Sequence, residues 1–75
     1  KQVSKTFDII YVDPPWDKPQ LYTEIMESLE AHHQLNPGGR LVVEASKRFD
    51  FPLFFGEPPQ RIYQYGQTLV GVYQL

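Results

Sequence analysis

The chain has 75 residues, 41% of them hydrophobic, no cysteine, and a formal charge of −2 from seven Lys plus Arg against nine Asp plus Glu. That length builds one small core at most, and without cysteine neither a disulfide framework nor a thiolate metal site can support it, which fits a reducing compartment and makes the cytoplasm the expected location. The charge argues against a free-standing nucleic-acid binder driven by phosphate neutralisation; the longest apolar run is far below the roughly 18 residues of a membrane helix, and Lys1 opens no secretory pattern.

Lys1 to Thr6 is polar and gives way at Phe7 to "FDIIYV", apolar on both faces as in a parallel strand buried between helices. The pattern predicts a central strand. It ends at Asp13, because Pro14 and Pro15 lack backbone N–H groups and cannot continue a sheet. Two consecutive pyrrolidine rings fix φ and restrict the preceding residue, so Asp13 and Trp16 are presented on a rigid turn.

After Pro19 the residues Tyr22, Ile25, Met26, Leu29 and then His32 or His33 recur at helical spacing with glutamates between them, which predicts an amphipathic helix of about four turns. "LNPGG", Leu35 to Gly39, is expected to stop it, since the residue before Pro37 resists helical angles and Gly38 and Gly39 permit a reversal. "RLVVEAS", Arg40 to Ser46, then reads as a second strand, parallel to the first through a right-handed crossover. Lys47 to Gln60 has four phenylalanines and three prolines without a period and reads as an ordered loop packed by its own aromatics. Arg61 to Leu75 shows two β-rich runs around Gly66, Gln67 and Thr68, an antiparallel hairpin closing the sheet edge. The fold class is α/β: strand, helix, strand and hairpin.

Ligands of open α/β sheets bind at the carboxyl ends of the parallel strands, where this turn sits. A carboxylate, a proline carbonyl and an aromatic plane suit a flat heterocycle bearing an amino group: the amine donates one hydrogen to Asp13 and one to the Pro14 carbonyl while Trp16 stacks on the ring. Asp13 is better suited to accept as an ionised carboxylate than to act as general base, because an exposed aspartate titrates well below neutrality. Lys18, Lys47 and Arg48 follow strand ends and divide between phosphate contact and solubilising charge. Glu24, Glu27 and Glu30 read as a solvated helix face, and the four phenylalanines as a cover over the sheet edge. His32 and His33 point about 100° apart on a helix and have no second ligand pair, so no metal site is expected.

Asp13-Pro14-Pro15-Trp16 resembles the [DN]-P-P-[YFW] motif of S-adenosylmethionine-dependent methyltransferases that act on exocyclic amines of nucleobases. The order "FDIIYVDPPW", helix, "NPGGRLVVE" and terminal "YGQT" hairpin further resembles the RsmD family, which methylates the amine of one guanine in small-subunit ribosomal RNA. The resemblance implies that residues 1–75 form the carboxyl-terminal half of a Rossmann-like methyltransferase sheet. Asp13, Pro14, Pro15 and Trp16 would then be the catalytic motif, with Asp13 and Pro14 beside the S-adenosylmethionine methyl group and Trp16, Lys18, Lys47 and Arg48 toward the RNA. The family's glycine-rich loop and ribose-binding acid are absent from these residues, so the amino-terminal cofactor-binding half is missing and the first strand lacks its usual neighbour. Self-association of this chain through Phe7 to Val12 follows as an expectation. An adenine-amine methyltransferase of DNA or RNA, or a non-catalytic α/β interaction module, is the alternative.

Overall fold

The computed structural model describes residues 5–75, so the polar lead at residues 1–4 lies outside the described residues. The elements in chain order are β1 (Phe7–Val12), α1 (Gln20–Ala31), β2 (Leu35–Ser46), β3 (Arg61–Tyr65) and β4 (Thr68–Gln74). They form one four-stranded sheet in the order β1-β2-β4-β3. β1 and β2 are parallel, with Ile10 opposite Leu41 and Val12 opposite Val43, and β2 pairs antiparallel with β4 on its other side. The expected strand-helix-strand unit and hairpin are both present.

The core lies between one face of this sheet and α1. Tyr22, Met26 and Leu29 project from the helix at i, i+4 and i+7, and Leu41, Val43, Ala45 and Tyr73 alternate inward from β2 and β4, all of them buried. Phe54 closes the core from the aromatic loop at 3% exposure. That loop is ordered by ring contacts: Phe49 meets Tyr22 at 4.3 Å between centroids and Phe51 edge-on at 5.0 Å. Phe54 packs against Phe55 and Tyr73. The Tyr73 hydroxyl donates to the Pro52 carbonyl at 2.5 Å, which fastens the loop to β4.

Three expectations change. Among the described residues β1 is the edge of the sheet rather than the central strand its apolar pattern alone predicts, and Phe7, Ile9 and Tyr11 are exposed. A single helix covers a single face, so the second apolar face of β1 has no cover among the described residues.

The helix ends earlier than expected and by a different device. His33 N–H bonds to the Glu30 carbonyl and Gln34 N–H to the Leu29 carbonyl, with His33 at φ 49°. That pairing is a Schellman motif with histidine in the left-handed position usually held by glycine.

"LNPGG" is consequently part of β2, where it forms an irregularity: Phe7 faces Leu35, yet Ile9 faces Arg40. Pro37 has no N–H to contribute, Gly38 turns at φ 81° and donates to the Leu75 carbonyl, and the Asn36 side-chain amide bonds to Asp8. A Cβ on Gly39 would lie 2.8 Å from the Asn36 carbonyl oxygen and 2.9 Å from that of Asp8. Only glycine lets the two backbones approach so closely.

Candidate functional site

β1 ends at Val12, buried at 5%, and the chain leaves the sheet through Asp13-Pro14-Pro15-Trp16. Pro14 is buried while Asp13, Pro15 and Trp16 are exposed. The turn is therefore anchored at its second residue, with its acid and its indole free to meet a ligand.

Tyr22, in the first turns of α1, supplies the anchor. Its hydroxyl donates to the Glu44 carbonyl at 2.8 Å and lies 3.5 Å from the Pro14 carbonyl. One proton cannot serve both equally, and the shorter contact to β2 dominates. The Pro14 carbonyl is left with only this long contact. Burial, followed by the charges of Asp13 and Glu44, raises the Tyr22 pKa above the usual phenol value, so the hydroxyl stays a donor at neutral pH.

A second tyrosine borders the turn from the open face. The Tyr11 hydroxyl donates to the Glu44 carboxylate. This hydrogen bond, followed by desolvation and by the charges of Glu44 and Asp13, pushes its pKa up to about 12. Both tyrosines thus lie near the carboxylates of Asp13 and Glu44, at the carboxyl ends of β1 and β2.

Beside the turn lies a cavity of about 460 Å³, within the range of small-molecule pockets. Trp16, Tyr22 and Phe49 give it aromatic walls, Gln20, Thr23 and Ser46 give it neutral polar groups, and Arg48 and Asp50 add one charge of each sign. Of the sequence-predicted residues, Trp16 and Arg48 meet here. Asp13, Pro14 and Pro15 stand at the strand end without lining the cavity. Lys18 and Lys47 are exposed and line it no more than they do; the Lys47 N–H bonds to the Gln67 carbonyl at the hairpin turn. Of the three basic residues only Arg48 lines the cavity.

Sequence reasoning missed Tyr22, Phe49 and Asp50 as site residues. The first two carried only the signal of apolar packing, which they also satisfy. Glu30 departs from the solvated-face reading, because its carboxylate accepts the Phe55 N–H at 2.6 Å, whereas Glu24 and Glu27 are exposed. Among the described residues, no cluster of three or more His, Asp or Glu could hold a metal ion, and no helix is long and apolar enough to cross a membrane.

The chain resembles known proteins along nearly its whole length. It is 32% identical over 65 residues to an uncharacterized methylase of Rickettsia prowazekii, covering 87% of this chain and 27% of that relative. A candidate methylase of Haemophilus influenzae superposes with a TM-score of 0.80 at 22% identity, over 97% of this chain and 45% of that one. A conserved hypothetical protein of Streptococcus pyogenes gives 0.75 at 26% identity, over 96% and 45%. The chain thus spans about a quarter of the Rickettsia relative and under half of each of these structures. The two structural likenesses confirm the expected Rossmann-like α/β architecture. Residues 1–74 match the family model described as Conserved hypothetical protein 95, and the chain belongs to that family.

Proposed function

We propose that this chain is the acceptor-side half of a methyltransferase that transfers a methyl group from S-adenosylmethionine to the exocyclic amine of a guanine in small-subunit ribosomal RNA, in the cytoplasm. The observation that carries the reading is the placement of Asp13-Pro14-Pro15-Trp16: a stiff turn at the carboxyl end of a parallel strand, beside an aromatic-walled cavity. Relatives named as methylases support it.

Asp13 and the Pro14 carbonyl accept the two amine hydrogens and leave the nitrogen lone pair directed away from them. Trp16 stacks on the base and replaces part of the stacking lost when the base leaves its helix. Fixing the nitrogen in this way lowers the entropic cost of reaction.

The residues present fit one side of the cofactor. The carboxylates of Asp13 and Glu44 at the ends of β1 and β2 suit a sulfonium cation, and Asp13 and Pro14 would border it. The chain's five glycines lie in the β2 irregularity, the aromatic loop, the hairpin turn and β4, so they form no glycine-rich cradle among the described residues. When bound, the cofactor supplies an activated methyl group.

In the full-length protein, Asp13→Asn is expected to lower single-turnover methyl transfer to ribosomal RNA while the melting temperature stays unchanged. The amide keeps the shape but accepts more weakly. Wild-type turnover in this variant would remove Asp13 from the role.

A further inference from the structure

The cavity beside the turn contains a residue whose placement bears on which base is chosen. Arg48 was one of three basic residues with an ambiguous part, yet it alone of the three lines the cavity, together with Trp16, Phe49 and Asp50. Two facts separate a base-reading arginine from a phosphate-binding one here. The nine lining residues include one cation and one anion, so a phosphate entering the cavity would meet Asp50 as well as Arg48 and gain little from the pair. The walls are aromatic, which suits a flat, uncharged ring.

We propose that Arg48 is a specificity-determining residue that reads the O6/N7 edge of a guanine seated in this cavity, an inference that rests on the base-methylation reading above. If the 2-amino group of guanine points out of the cavity toward Asp13 and Pro14, the opposite edge, which bears O6 and N7, is left within it. Two neighbouring acceptors on that edge match the two parallel N–H donors of a guanidinium, and arginine paired to O6 and N7 is the commonest specific contact made to guanine. Adenine cannot reproduce the match. With its 6-amino group at the turn it presents N3 as a single acceptor on the far side, and turned so that N7 faces Arg48 its amine sets a donor against the donors of the guanidinium. Arg48 is exposed and at a strand end, so its substitution leaves the core untouched.

Trp16 is the only tryptophan of the chain and lines the cavity, so its fluorescence reports occupancy directly. The experiment titrates the chain and its Arg48→Ala and Arg48→Lys variants with GMP, IMP, 7-deaza-GMP and AMP, which share the same phosphate. GMP and IMP are expected to quench Trp16 with dissociation constants about tenfold below that of AMP, as one bidentate base contact gives. 7-Deaza-GMP should fall between them. Arg48→Ala should bring all four to parity, and Arg48→Lys, a point charge without the fork, should restore only part of the difference. If GMP and AMP bind alike in the wild type, or if Arg48→Ala weakens all four equally as a phosphate contact would, the specificity role is wrong while the base-cavity reading stands. If none of the four quenches Trp16, the base cavity and the role of Arg48 are both overturned.

Discussion

At the scale of single residues, the turn at the end of β1 divides its work. Pro14 is buried and held near Tyr22, which leaves Asp13 and Trp16 exposed but not loose. Trp16 lines the cavity, so Trp16→Ala in the full-length protein is expected to lose much more methyl-transfer activity than Trp16→Phe. The stacking surface that phenylalanine retains is worth about 1–3 kcal/mol per base, and alanine activity equal to wild type would take Trp16 out of the site. Tyr11 allows a test by pH. Its pKa is raised from 10.0 to about 12 in the folded chain, so its contribution to stability is complete below pH 10 and is lost as pH rises through 12. Thermal melts of the wild type should fall more steeply across that window than those of Tyr11→Phe; parallel curves would show that the contact with Glu44 does not form in solution.

At the scale of elements, the types were legible and the punctuation was not. The period of Tyr22, Met26 and Leu29 identified the helix and its buried face, and the alternation of Leu41, Val43 and Ala45 identified the inward side of β2. The helix stop was misplaced because "NPGG" is the stronger local signal, whereas the operative residue is His33. Histidine is among the few side chains found with some frequency in the left-handed region, but its letter alone does not announce that use. The cavity was half legible. Trp16 and Arg48 were singled out, but Phe49 and Tyr22 joined them only through the packing of a loop that has no period to read. Glycine at position 71 has a packing reason that the sequence hides as well: a Cβ there would lie 2.7 Å from the Phe51 ring, and the glycine sits opposite Val43 in the core of the sheet. Gly71→Ala is therefore expected to destabilise the chain by about 1–3 kcal/mol through overpacking. Denaturant unfolding measures it, and an unchanged midpoint would mean that Phe51 has room to move aside.

At the scale of the whole molecule, the sheet is covered on one face and open on the other. Ile9 and Tyr11 are 65% and 59% exposed on the open side of β1, and among the described residues β1 pairs with β2 alone. An edge strand with apolar side chains and no internal proline or lysine invites a second strand. The chain is expected to self-associate through this edge, with an equilibrium seen by sedimentation across a concentration series. Ile9→Lys should shift that equilibrium toward monomer. Ile10 packs against the core instead, so a lysine there would test folding rather than association. A compact monomer at all concentrations would show that the edge is protected in another way.

The twelve-residue β2 has a further consequence. Among the described residues it is the only strand zipped to a parallel partner on one side and an antiparallel partner on the other. Thermal opening therefore has two independent routes. β3 and β4 can loosen as a local hairpin, and β1 can peel from the opposite side, while β2 remains against the helix in either case. Local opening in proteins follows such boundaries, with free energies well below that of global unfolding. The turn that carries Asp13 and Trp16 hangs from β1, so its position depends on the single ladder between β1 and β2. Whatever pairs with the free side of β1 would slow that peeling and fix the turn in place.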